Sequence, residues 1–248
     1  MPIRIYLKQN NSLKRRAINH FSYVFLVVGT LLLFWSFYPV ISFELYSRLF
    51  IQQHVLSPVP SSGDIKSHQE ADAVLGSYDA YSNNLRDFTQ AHLWFPSNNM
   101  DGKKQSSSFN VSNYDISIPK LNISQAHVVV GGEDLSKSLV HYLPRTMPGE
   151  FGNVAIFGHS TLPQLYSEGD YKTIFTYLPS LEKGDAVFVK IGDVEYEYKV
   201  TDMFVVNPDK ISVLDQKYDA SYLTLITCVP PGTYWKRLVV TSKLVKLP

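Results

Sequence analysis

The chain has 248 residues, a formal net charge of +1 and one cysteine. Near-neutral charge argues against a basic nucleic-acid-binding surface, and a lone cysteine excludes a disulfide framework and a thiolate-rich structural zinc site. Aromatic residues make up 13% of the chain, with 16 Tyr and 14 Phe, which suits a β-rich fold better than a helical bundle.

Arg4, Lys8, Lys14, Arg15 and Arg16 crowd the N-terminus, and no acid precedes Glu44. The apolar run Phe21–Phe43 is long enough for a hydrocarbon core of ~30 Å, which needs about 20 helical residues. Phe34, Trp35, Phe37 and Tyr38 suit an interfacial aromatic belt. A cleaved signal peptide would have a shorter apolar core and a small-residue cleavage site, so an uncleaved anchor is the better reading. The expected order is a cytoplasmic N-terminus (1–16), a transmembrane helix (17–43), an extracytoplasmic stalk (44–112) and a folded domain (113–248). This places the chain in the plasma membrane as a single-pass protein with its bulk outside.

The stalk is rich in Ser, Asn, Asp, Gln and Pro, the texture of a flexible linker. Its one apolar patch, Ala91-His-Leu-Trp-Phe-Pro96, either docks on the folded domain or is an isolated hydrophobic spot, and the latter is the better reading. From Tyr114 onward, strand-like runs cover 115–119, 126–130, 153–159, 186–191, 196–206, 222–229 and 238–245, separated by Gly, Pro and Asp turns. Helical stretches are expected near Leu135–Tyr142 and Tyr171–Leu181. Many short strands with few helices predict an all-β fold, a closed barrel or a sandwich.

Cys228 ends the run Tyr222-Leu-Thr-Leu-Ile-Thr-Cys228. Outside the membrane such a thiol is a buried bystander, an intermolecular link or a nucleophile. Alternation along the strand puts Leu223, Leu225 and Thr227 on one face and Thr224, Ile226 and Cys228 on the other. The segment through Pro231-Gly232 turns back, so Arg237 on the returning strand lies roughly across from Cys228. A third member is His159, which ends Asn153-Val-Ala-Ile-Phe-Gly-His159; His127 and His141 are alternatives. A neighbouring cation favours the thiolate, an imidazole can carry a proton, and a guanidinium can bind a developing oxyanion. Together these types suit acyl transfer through a thioester. Ser160 adjoins His159, but strand neighbours face opposite ways, which argues against a serine–histidine pair. Tyr234 and Trp235 wall a peptide groove or cap the hairpin.

Thr224-Leu-Ile-Thr-Cys228 with Arg237, Ala155-Ile-Phe-Gly-His159 and the approach Pro148-Gly-Glu-Phe-Gly-Asn153 resemble the sortase family of bacterial surface transpeptidases. The resemblance covers about Tyr114 to Val245. It implies an eight-stranded β-barrel in which Cys228 attacks an LPXTG-like sorting signal of an exported protein. His159 would then shuttle protons, and Arg237 would hold substrate and stabilise the oxyanion. The implied acceptor is an amine of a peptidoglycan precursor or a pilin lysine. Thr224, Ile226, Thr227, Tyr234 and Trp235 are the expected substrate contacts. Pilin-polymerising members often carry an Asp-Pro-aromatic lid and a second, C-terminal span; neither is evident, which favours anchoring of single proteins. No cofactor is expected. Some sortases bind calcium through loop acids, and Glu133, Asp134 and Glu150 lie in loops without a spacing that compels a metal site. Competing readings are another exported thiol acyl-transferase, such as an L,D-transpeptidase, and an inert membrane-tethered peptide-binding β-domain. Against the former, Cys228 lacks the Ser-x-Gly-Cys-x-Arg context.

Overall fold

A computed structural model of the chain describes residues 12–51, 89–95 and 111–246. They fall into two compact units, residues 1–42 and 43–248. The first holds most of helix α1 (Ser12–Tyr46), interrupted in its hydrogen bonding by Pro39. A stretch of mean hydropathy 2.2, none of it buried, makes this helix long and apolar enough to cross a membrane once.

The second unit is a closed eight-stranded barrel. Its strands are β1 (Asn113–Ile118), β2 (Ile123–Val130), β3 (Leu139–Tyr142), β4 (Gly152–Phe157), β5 (Ala186–Ile191), β6 (Val194–Val206), β7 (Ser221–Val229) and β8 (Lys236–Lys246). Their order around the barrel is β1-β2-β3-β4-β7-β8-β6-β5, closed by β1 against β5. β2 with β3 and β4 with β7 run parallel; the other neighbours run antiparallel. Closure leaves no open sheet edge, and alternate residues such as Ile116, Val154, Ile156, Leu223, Leu225 and Val240 fill the interior.

Seven of these strands coincide with the strand-like runs of the sequence. The eighth, β3, lies where a helix was expected. Leu135, Leu139 and Tyr142 have helical spacing, but Leu139 pairs with Val128 and His141 with Ile156. Leu139 and Val140 are both buried because the two faces of β3 are covered, which erases the alternation that marks a strand. The other expected helix, Tyr171–Leu181, forms turns and a short 3-10 element at Leu178–Ser180. Thr173 and Thr176 donate their hydroxyls to nearby carbonyls, a local alternative to helical bonding, and Pro179 lacks the donor a helix would use.

Inside the barrel His141 is 1% exposed, edge-on to Tyr114, and neither ring nitrogen has a hydrogen-bond partner among the described residues. Burial holds its pKa down to about 4. The unfolded chain takes up this proton near pH ~6.5, before the folded protein does. The stability contributed by a neutral His141 is therefore full above that pH and is lost as pH falls through about 4. The full effect is about 3 kcal/mol. His141→Leu should flatten this acid decline, measured as the difference in urea midpoint between neutral pH and the region near the folded pKa. An unchanged decline would clear the imidazole of responsibility.

Candidate active site

The β7–β8 hairpin sets Cys228 directly opposite Arg237. Cys228 follows Thr224 and Ile226 on the outer face of β7 and is 2% exposed. On the other side of β7, the parallel β4 pairs from Gly152↔Ser221 to Phe157↔Ile226, and His159 lies two residues beyond the last pair. Gly158 is required at this approach. A Cβ there would lie 2.5 Å from Phe175 and 2.6 Å from Leu139. The His159 carbonyl accepts the Phe175 amide at 2.8 Å, which holds the chain after the strand. The two alternative histidines are placed elsewhere: His141 faces the interior, and His127 is exposed beside Asp115.

Residues 89–95, a strap within the expected linker, lie across these three side chains. The Thr89 carbonyl accepts the Leu135 amide, the Ala91 amide donates to the Glu133 carbonyl, and His92 contacts Glu133 at 3.3 Å. Ala91, Trp94 and Phe95 are fully buried among Val140, Ala155, Phe157, Ile226, Cys228 and Val239. The Trp94 ring stacks on Phe157 and lies 5.6 Å from His159, with the Arg237 guanidinium 5.5 Å away. Arg237 makes four hydrogen bonds to backbone carbonyls: Nε and Nη2 donate to Trp94, and Nη1 donates to Tyr234 and Lys236. The patch read as a solitary hydrophobic spot is thus a cover over the site. Its aromatic residues have a face to bury against, which linker composition alone does not reveal.

The cover sets the electrostatics. Burial drives His159 down to about 4, aided slightly by Lys172 and opposed by Asp134 and Asp170. Burial also pushes the Cys228 thiol up, and Arg237 opposes this only in part. Under the strap the favoured pair is a neutral imidazole and a neutral thiol, because neither charge is hydrated.

Beyond Cys228 the outer face of β7 continues as a row of covered side chains. Two alternating steps lead back through Ile226 to Thr224, about 13 Å along the strand. There a pocket of about 240 Å³ opens between β4, β7, β8 and β6, lined by Asn153, Phe204, Val213 and Thr224 among others. Of the expected substrate contacts, Thr224 lines this pocket and Ile226 belongs to the apolar outer cluster. Tyr234 packs at the edge of that cluster, and Trp235 is 65% exposed. Thr227 faces the other way: it is fully buried, with its hydroxyl on the Gly158 carbonyl, and it does not line the pocket.

Sequence reasoning passed over Asn153 and Gln216 as functional residues. The Asn153 side chain donates to the Val213 and Asp215 carbonyls and accepts the Thr224 hydroxyl. Gln216 brackets the Asn153 backbone, accepting its amide and donating to its carbonyl. Together they fasten the β6–β7 loop beside the pocket. The Gly-Asn approach signalled Asn153; Gln216, in a loop, gave no signal. The three loop acids are occupied: Asp134 by Ser136 and Lys137, Glu133 by His92, and Glu150 by the Met147 amide. Among the described residues no three His, Cys, Asp or Glu side chains gather as a metal site.

A closed barrel that brings Cys228, Arg237 and His159 to neighbouring strand ends is the architecture that the sequence resemblance implies. A sortase-domain family profile matches residues 116–245, and the chain belongs to the sortase family of transpeptidases. It is 28% identical over 157 residues to sortase D of Bacillus subtilis (strain 168), a match covering 60% of this chain and 73% of that one. It is 37% identical over 94 residues to sortase A of Bacillus anthracis, covering 38% of this chain and 41% of the relative. Among solved structures, sortase C-1 of Actinomyces oris aligns with a TM-score of 0.48 and 28% identity, over 54% of this chain and 73% of that one.

Trp94→Ala should loosen the strap without touching the barrel interior. Alkylation of Cys228 in the full chain should accelerate by at least about tenfold, while the global unfolding midpoint moves little. An unchanged rate would show that the strap does not limit access to the thiol.

Proposed function

We propose that this protein is a membrane-anchored cysteine transpeptidase. It cleaves an LPXTG-like sorting signal on an exported protein and passes the protein to an amine acceptor, a cell-wall precursor or a pilin lysine. The observation that carries this reading is the direct cross-strand pairing of Cys228 with Arg237, with His159 just past the end of β4 on the other side of β7. The basic N-terminus supports a cytoplasmic start and an extracytoplasmic barrel, where both substrates reside.

Once the strap has moved aside, the sorting peptide lies along Ile226 and Thr224 with its scissile carbonyl at Arg237. The Trp94 carbonyl now draws two donors of that guanidinium, and a peptide carbonyl in its place would take the same donors. Cys228 loses its proton to His159 as sulfur attacks the carbonyl carbon. The electron pair moves onto oxygen, where Arg237 stabilises it. Collapse expels the C-terminal fragment as an amine, which takes the proton from the His159 imidazolium and leaves a thioester on Cys228. The acceptor amine then attacks the thioester, gives its proton to His159 and releases the thiol. These proton and electron movements require no metal or organic cofactor.

The test is intact-mass spectrometry of the full chain in detergent micelles with LPXTG-like peptides. A peptide-dependent adduct should form, be discharged by added amines and be absent in Cys228→Ala. His159→Ala and Arg237→Ala should each slow transfer by about 100-fold or more. Failure of both the wild type and Trp94→Ala to form an adduct, with a thiol that alkylates slowly, would instead make this a peptide-binding domain.

A further inference from the structure

The β4–β7 ladder ends at Phe157↔Ile226, short of the two side chains whose spacing matters most. Parallel strands have no reason to stay together beyond their last pair, and Gly158 adds backbone freedom there. Yet three hydrogen bonds carry the join onward: Gly158 N donates to the Ile226 carbonyl at 3.2 Å, Thr227 Oγ1 to the Gly158 carbonyl at 2.8 Å, and Ser160 Oγ to the Cys228 carbonyl at 2.6 Å. The residue before the cysteine grips the residue before the histidine, and the residue after the histidine grips the cysteine itself.

We infer that Ser160 and Thr227 are positioning residues, a two-sided hydroxyl clamp that sets the spacing and orientation of His159 and Cys228. The inference deepens the transpeptidase reading and rests on it for its catalytic consequence. Neither hydroxyl needs to touch substrate, since each acts through a backbone carbonyl. Those carbonyls require a donor because the ladder has stopped, and side-chain hydroxyls supply one from either strand. A second contact, from Thr161 N to Thr176 Oγ1 at 3.0 Å, steadies the segment just after Ser160. The clamp also accounts for a serine beside the histidine. Its hydroxyl is donated to the Cys228 carbonyl, so it is neither the nucleophile nor a partner of the imidazole.

The consequence is a loss of rate without a loss of peptide affinity. In the full chain, Ser160→Ala should lower kcat for sorting-peptide transfer by about five- to tenfold, the scale of one hydrogen bond, with KM changed less than about twofold. The pH profile of Cys228 alkylation should shift toward higher pH as the imidazole drifts from the thiol. Ser160→Thr keeps the hydroxyl and should restore both. Thr227→Val and Thr227→Ser form a second pair for the opposite jaw, in case Ser160→Ala proves unstable. An unaltered kcat and alkylation profile in Ser160→Ala would overturn the clamp. So would a change confined to KM, or a loss that Ser160→Thr fails to repair. If the wild-type chain transfers no peptide at all, the functional reading fails; the alkylation profile, which needs no peptide, still decides whether the clamp exists.

Discussion

Everything at the site hangs on the parallel pairing of β4 with β7 in a barrel that has no edge. That pairing runs through six residue pairs from Gly152↔Ser221 to Phe157↔Ile226. It aims two chain segments, separated by about seventy residues in sequence, at one place. β8 then supplies the guanidinium from the opposite side of β7, in a register fixed by the long β7–β8 ladder. Barrel closure holds the three strands rigidly, and only their tips are free to be shaped for chemistry. The inner faces of β4 and β7 carry the apolar core, so a shift by one residue would bury Cys228 in the barrel and bring Leu225 out. Core packing thereby sets the direction in which the thiol points.

The outer face of the same strands poses a different problem. Phe157, Ile226 and Val239 form an apolar outer surface that would meet water if nothing covered it. The strap fills part of this surface with Trp94 and Phe95. Burying the two aromatic side chains is worth about 10 kcal/mol gross, and ordering residues 89–95 costs about 10 kcal/mol. The two terms are of similar size, and the strap's hydrogen bonds to Glu133, Leu135 and Arg237 add to the seated side. While seated the strap desolvates the thiol and imidazole and holds both uncharged. It also occupies the guanidinium with a backbone carbonyl. Access and protonation are thus governed by one contact.

Most of this plan was legible in the sequence, for a physical reason. Strand alternation and turn chemistry are local, so seven strands, the outward side of Cys228 and its pairing with Arg237 followed from residue types and spacing. β3 did not, because a strand covered on both faces has no alternation to read. Thr227 was grouped with the substrate contacts although its own alternation placed it with Leu223 and Leu225; the structure restores it to the inner face. The strap was missed for a related reason. Ala91-His-Leu-Trp-Phe-Pro96 is apolar, but what an apolar patch covers is decided by surfaces assembled from distant strands. Nor could spacing foresee that Gln216 would grip the backbone of Asn153 across sixty-three residues.

The strap belongs to the same chain as the site it covers, and this alters what its weak docking means. A tethered segment meets its groove at an effective concentration in the millimolar range, without paying the translational cost of association. A docking equilibrium near zero free energy then suffices to keep the groove covered for much of the time. Under the proposed transpeptidase reading, a peptide substrate would have to outcompete that tether, which needs contacts exceeding those of Trp94 and Phe95. On that reading selection would begin before any bond is broken, because a poorly matched peptide would leave the thiol neutral and buried. Displacing the strap rehydrates the pair and frees the donors of Arg237 in the same event. Discrimination would then be a difference in binding free energy between two occupants of one surface, one of them part of the chain itself.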